Sequence, residues 1–281
     1  MGIRTLAFVD LDDTLFSSLR KHGDVESVLE PAALLANGDV ISYSNPGQRA
    51  LLRMLQAADQ IIPVTARNIA AYRRVLIKFK GLAVVSHGAT ILLQDGTVDP
   101  VWHERVAPLL QREEDNLKRL LAHVEQSAGT VDLRCWLVYD AELPVYLVVK
   151  HKASDGQRVA EVARDVILPW MRTRSDYTLH VNGNNMAVIP PGFGKAAAVA
   201  YLLERERAEN GTPFTIGAGD SITDLDFMKL CDVQLTPSGS QLALAADEGL
   251  RFKQALGGGS LLLGKAPFAE LQSLALSPEG C

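Results

Sequence analysis

The sequence is poor in cysteine. Its 281 residues include three, Cys135, Cys231 and Cys281. They lie far apart and show no metal-ligand spacing, which argues against a disulfide framework or a thiolate metal site and favours a reducing compartment. Two buried thiols and one in the tail are expected. Long apolar runs are also missing, so no segment reads as a membrane span. The first fourteen residues carry one basic residue and three carboxylates, which is not a secretory signal. Leu6 occupies the position where a myristoylation signal has Ser or Thr. Excess positive charge is absent too: the formal net charge is −5, which argues against nucleic acid or an anionic membrane as partner. An anionic substrate would need a local positive centre, from a metal or a few placed cations. Internal repeats and long low-complexity segments are absent, Gly257–Ser260 being only a short flexible loop. The chain reads as a cytoplasmic protein, and its sequence carries no signal for oligomeric state.

What the sequence has is a hydrophobic fraction of 47%, enough for a core and a smaller second module. Residues 6–9 form a short apolar run that ends in Asp10, Asp12 and Asp13, the pattern of a buried strand with carboxylates at its end. A helix over 47–58, a strand over 61–64 ending at Thr65-Ala66-Arg67, a helix through Tyr72, Val75 and Leu76, and a strand over 82–85 follow. From about 93 to 186 the pattern changes. Val106, Leu109, Leu110, Leu117, Leu120, Leu121 and Val124 keep helical spacing. Two strands over 135–139 and 145–149 turn at Glu142-Leu143-Pro144. A second helical stripe, Val159 to Trp170, starts at Ser154-Asp155. Strands over 177–182 and 186–189 turn on Gly183-Asn184. Trp136 and Trp170 are expected in the core of this module. After Pro190-Pro191-Gly192, strand–helix alternation returns, with a helix from Lys195, a strand over 214–216, a helix holding Leu225 and Met228, and a strand over 233–235. The fold class is α/β: a Rossmann-like parallel sheet covered on both faces, formed by 1–92 and 187–281, and interrupted by an α+β module over 93–186.

Four segments carry candidate chemistry, and each follows or adjoins a predicted strand end, where open α/β sheets gather ligands. In Asp10-Leu11-Asp12-Asp13-Thr14, three carboxylates repel one another unless a cation neutralises them. Thr65 offers a hydroxyl to a phosphate oxygen, or caps the next helix. Lys195 adds its charge to a helix start after Gly192-Phe193-Gly194. It does not make a nucleotide P-loop, because Ile189 stands at the first-glycine position and Ala196 replaces Ser or Thr. Gly219-Asp220-Ser221-Ile222-Thr223-Asp224 places two carboxylates four residues apart at a helix start, oxygen donors suited to magnesium. Asp226 reads as a surface residue.

In order and placement these segments resemble the haloacid dehalogenase superfamily, over roughly 1–92 and 187–281. The inserted module resembles the type II cap of the subclass that contains sucrose-phosphate and mannosyl-phosphoglycerate phosphatases, Cof-type phosphatases and phosphomannomutases. The resemblance implies that Asp10 is the nucleophile and Asp12 the general acid and base. Thr65 and Lys195 bind the phosphoryl group. Mg²⁺ takes the Asp10 side chain, the Asp12 backbone carbonyl and Asp220, with Asp224 a further ligand or an anchor behind it. An acid at Asp12 implies cleavage of a small-molecule phosphate ester, a sugar phosphate by cap type. A phosphomutase and a non-catalytic regulatory binding protein share the fold. Free phosphate as product separates the first from a phosphatase, and the presence of Asp10 and Asp12 argues against the second. Asp13, Ala66 and Thr223 depart from the common Gly, Gly and Asn, which weakens assignment to one subfamily.

For specificity, Ser86-His87-Gly88-Ala89 resembles the Asn-Gly-Ala segment of Cof-type members. His87 is a candidate substrate contact or a structural loop histidine. His180 and Asn182 are candidates for a sugar hydroxyl, although Asn-rich turns are commonly only turns.

Overall fold

A computed structural model describes residues 2–22, 28–128, 131–174, 176–247 and 261–263. Gly257–Ser260 and Cys281 lie outside the described residues. The chain divides into two compact units, residues 1–99 with 195–281, and residues 100–194. Among the described residues no helix is long and apolar enough to cross a membrane.

The first unit starts with β1 (Thr5–Val9). Its side chains alternate between the two sheet faces, and Leu6, Ala7, Phe8 and Val9 are all buried. β2 (Ser17–Ser18), β3 (Glu30–Leu34) and β4 (Val40–Ser44) form a small antiparallel sheet in the order β2-β4-β3, which no sequence expectation covered. α1 (Pro46–Leu55) is set by a capping box between Asn45 and Gln48 and by proline at its start. β5 (Gln60–Pro63) follows. The helix expected through Val75 and Leu76 is a single turn, α2 (Ile69–Tyr72). Beyond it the backbone is drawn toward β3: Leu34 N–H donates to Arg74 O and Leu76 N–H to Ala32 O. β6 (Ala83–Val85) and β7 (Thr90–Leu92) pair antiparallel.

The second unit opens with α3 (Pro100–Ala128), which buries Trp102, Val106, Leu110, Leu117, Leu120 and Val124. β8 (Leu133–Asp140) and β9 (Leu143–His151) form a hairpin. Its turn is Ala141-Glu142, both left-handed, one residue earlier than expected, because a two-residue turn of this hand matches strand twist. α4 (Gly156–Val162), capped by Asp155, runs through a π-helical turn at Ala163–Ile167 into α5 (Leu168–Met171). β10 (Thr178–Asn182) and β11 (Asn185–Ile189) complete a sheet in the order β10-β11-β9-β8. β11 carries this sheet past 186, where the sequence boundary was drawn. Residues 93–99 fold back on the first unit, with Asp99 N–H donating to Ile91 O. Leu133, Cys135 and Leu137 face the helices of this unit. Trp136 therefore points to the opposite face and is 40% exposed, against the expectation of a core residue. Trp170 does pack on the core, edge-on to Tyr177.

The chain then returns to the first unit with α6 (Lys195–Asn210), β12 (Phe214–Ala218), α7 (Ile222–Met228), β13 (Val233–Thr236), α8 (Gln241–Asp247) and β14 (Leu261–Leu263). The parallel sheet has the order β14-β13-β12-β1-β5. β1 lies between β12 and β5, so whatever follows β1 emerges among the ends of its neighbours.

Candidate active site

Three adjacent strands deliver polar residues at one edge of the sheet. Asp10 follows β1, and its N–H donates to Ala218 O at the end of β12. Thr65 follows β5, where Val64 N–H donates to Val9 O and Thr65 N–H to Val84 O. Asp220 follows β12, where Gly219 N–H donates to Leu235 O. A Cβ built on Gly219 would lie 2.5 Å from Asp224 Cβ and 2.9 Å from its Cγ. Only glycine lets the Asp224 carboxylate pack against this strand end.

Lys195, at the start of α6, reaches into the same place. Its Nζ donates to Asp10 Oδ1 at 2.7 Å and to Asp224 Oδ1 at 2.6 Å. The ammonium, Asp10, Asp220 and Asp224 are all buried. Thr14 Oγ1 stands 3.4 Å from Asp10 Oδ2 and 3.5 Å from Asp220 Oδ1. Asp224 is anchored by Ser221, whose backbone N–H and hydroxyl both donate to its Oδ2, at 3.0 and 2.6 Å.

Burial and charge compete here. Burial raises the Asp10 carboxyl well above the ordinary range; Lys195 offsets part of this, and Asp224 and Asp220 add repulsion. Asp220 is pushed up to about 7, first by burial, then by Asp224 and Asp13. For Lys195 burial works against the charge, but Asp10 and Asp224 outweigh it and its pKa is raised, so the ammonium persists. Asp10, Asp220 and Asp224 each present an oxygen within 4.8 Å of the others. Three buried carboxylates against one ammonium leave uncompensated negative charge, and hard oxygen donors in this number suit a divalent cation.

Asp12 is placed differently. Its carboxylate is 45% exposed and held by Arg67 in a two-pronged pair, Nε to Oδ2 at 2.7 Å and Nη2 to Oδ1 at 2.8 Å. The guanidinium also lies over the Phe16 ring, 5.1 Å from its centroid. Burial opposes the Arg67 charge, but Asp12 overcomes it and the pKa is raised. The Asp12 side chain stands outside the three-carboxylate group. Thr65 is fully buried, and its Oγ1 accepts from Arg67 N–H at 3.1 Å, an arrangement that directs its own hydrogen elsewhere. His87 is buried beside this loop, its N–H donating to Thr65 O at 3.1 Å.

The structure thus gathers Asp10, Lys195, Asp220 and Asp224, with Thr65 and Asp12 on neighbouring loops. His180 lies in the second unit, half-buried on β10 opposite Ala187. Asn182 ends the same strand; its side chain lies outside the described residues. Asp226 is a surface residue paired with Lys229. Thr14, Arg67 and Ser221 have roles that the sequence reading did not assign, although all three stand within the quoted motifs. Lys21, paired with Asp13 at 2.6 Å, had no sequence signal.

No family model matches the chain, and no curated protein does. Solved structures do. The C-terminal domain of trehalose-6-phosphate phosphatase from C. albicans superimposes with a TM-score of 0.58 at 14% identity, covering 97% of this chain and 92% of that one. The sucrose-phosphatase of Synechocystis sp., in complex with sucrose and phosphate, gives 0.56 at 15% identity, covering 98% of each chain. The fold is that of the haloacid dehalogenase superfamily. A Thermoplasma acidophilum protein shares it at 0.52, with 12% identity and coverage of 88% and 89%. At such identities the likeness establishes the haloacid dehalogenase fold, and the chemistry has to be argued from the residues.

Proposed function

We propose that this protein is a Mg²⁺-dependent phosphatase that hydrolyses a small phosphate monoester, with sugar phosphates as the favoured class, through an aspartyl-phosphate. The observation that carries the reading is the buried set of Asp10, Lys195, Asp220 and Asp224 gathered beside the ends of β1 and β12, with Asp12 two residues beyond Asp10. Asp10, Asp220 and Asp224 are the side chains that would hold the ion. Mg²⁺ supplies charge neutralisation of the carboxylates and of the phosphoryl oxygens when bound.

A carboxylate oxygen of Asp10 attacks phosphorus, and the bond from phosphorus to the ester oxygen breaks. Asp12, freed from Arg67 once substrate binds and then carrying a proton from solvent, gives that proton to the departing alkoxide, so the alcohol leaves neutral. A water then attacks the aspartyl-phosphate, Asp12 takes its proton, and the bond from phosphorus to Asp10 breaks to release phosphate. Lys195 keeps a positive charge beside Asp10 throughout, and Thr65 donates its hydroxyl hydrogen to the phosphoryl group. Arg67 holds Asp12 before substrate arrives. The trehalose-6-phosphate and sucrose phosphatases that share the fold support sugar phosphates as the first substrates to try.

Phosphate release should be measured across a panel of sugar phosphates and an aryl phosphate, with Mg²⁺, with chelator, and with Asp10→Asn. Mg²⁺-dependent turnover that vanishes in the variant is expected. No release from any ester, or release indifferent to Asp10, would overturn the reading. An isomeric sugar phosphate in place of free phosphate would replace hydrolysis by transfer back to substrate.

A further inference from the structure

Ser86, His87 and Gly88 form a turn whose residues all have positive φ, 52°, 55° and 95°. Glycine takes this region freely, but a side chain with a Cβ is crowded there. Two non-glycine residues in succession hold it, and both are buried, Ser86 at 0% and His87 at 4% exposure. Such geometry persists where the surroundings over-determine it. Here the surroundings are visible. One left-handed turn aims successive amides the same way. Ser86 N–H donates to Arg67 O at 2.8 Å, and His87 N–H donates to Thr65 O at 3.1 Å. The two amides hold the first and last carbonyls of the loop Thr65-Ala66-Arg67. That loop supplies the Thr65 hydroxyl, and its Arg67 grips both oxygens of Asp12.

We propose that the left-handed Ser86–Gly88 turn is the positioning element of the 65–67 loop, with His87 the positioning residue. It acts through its backbone conformation, and through Arg67 it sets where Asp12 stands. The role rests on the phosphatase reading. What this role requires is a residue that accepts left-handed backbone. Asparagine and glycine do so, whereas a β-branched residue does not.

General acid assistance by Asp12 matters for an alkyl phosphate, whose leaving group is a strong base, and little for 4-nitrophenyl phosphate, whose leaving group departs unaided. The test compares kcat/KM for both esters, since this parameter reports formation of the aspartyl-phosphate. His87→Val should lose about tenfold or more on the alkyl ester and about twofold on the aryl ester. His87→Asn and His87→Gly should keep both within about threefold. In an Arg67→Ala background His87→Val should cost little more, because the link it acts through is already broken. Should His87→Val fail to fold, His87→Ala carries the same comparison at about threefold. Equal losses on both esters, or a His87→Gly as impaired as His87→Val, would overturn the proposal. Neither outcome touches the phosphatase reading, which falls separately if the wild-type protein turns over neither ester.

Discussion

Among the described residues both units bury an apolar cluster, but only the first sets a buried group of charges beside it. The first buries Asp10, Asp220 and Asp224 with an oxygen of each within 4.8 Å of the others, and Lys195 bonded to Asp10 and Asp224. The second buries a continuous apolar cluster from α3, both hairpins and α4, including Leu117, Leu120, Leu147, Val149, Val159 and Ile167. Burying charge costs stability unless it is paired, and even then returns little. Burying leucine and valine returns about 1.5 to 3 kcal/mol for each side chain. The contrast locates the chemistry: beside its apolar cluster the first unit carries a charged group that folding alone does not reward, and the apolar cluster of the second is one that folding does reward. Substitutions in that charged group should change activity more than stability, those in the second unit's apolar cluster the reverse, with one exception at the lysine.

That exception should give the largest effect. Lys195→Met leaves Asp10 and Asp224 buried without their cation. It should abolish turnover and lower stability by about 3 to 5 kcal/mol, read by phosphate release and denaturant unfolding. Next is Leu120→Ala in α3, which opens a cavity in the apolar cluster. It should cost about 2 to 5 kcal/mol in the same unfolding measurement, while the folded fraction keeps wild-type kcat/KM on an aryl phosphate. Gly219→Ala should come third. Its methyl occupies the place of Asp224, and both Mg²⁺ affinity and activity should fall by about 10- to 100-fold, measured by Mg²⁺-dependent thermal shift and turnover.

A pH series sharpens the contrast without mutation. The Asp220 carboxyl is pushed up to about 7 by burial, then by Asp224 and Asp13. In metal-free protein the folded state holds a proton that the unfolded chain gives up at the ordinary carboxylate value. The associated stabilisation is complete below that value and is lost as pH rises through about 7. Denaturation midpoints of metal-free protein should therefore fall between about pH 4 and about pH 7 and level off above it, and Mg²⁺ should remove the fall. A midpoint that rises over this range would contradict the assignment of Asp220 to a crowded buried site. The smallest effect belongs to Trp136→Ala. The indole stands on the face of its sheet opposite the helices, so the change should stay within about 1 kcal/mol; a larger loss would show that this face is packed.

Much of this was legible in the sequence, and the reason is local. An apolar run followed at once by carboxylates marks a buried parallel strand and its functional end, which is how Asp10, Thr65 and Asp220 could be selected singly. Lys195 and Asp224 were selected by spacing, but their meeting required the sheet order that brings residues 185 and 29 positions from Lys195 into contact. What escaped depends on distant partners. The short α2 ends where pairing with β3 takes over the backbone, and the small sheet of β2, β3 and β4 had no reading at all. Trp136 was misplaced because strand alternation gives two faces but does not say which one the helices cover. The Arg67–Asp12 pair spans 55 residues. The left-handed turn at Ser86-His87 uses residues that carry no sequence mark for positive φ, so only the backbone shows it.

The central claim is that Asp10 becomes phosphorylated, and it can be read directly. A single turnover on a responsive phosphate ester with Mg²⁺ is quenched in acid, and the peptides are analysed by mass. The account expects a phosphoryl group on the peptide that contains Asp10, released by hydroxylamine as acyl phosphates are, and absent in Asp10→Asn. Turnover with no phosphorylated peptide, or with the phosphoryl group on another residue, would contradict it.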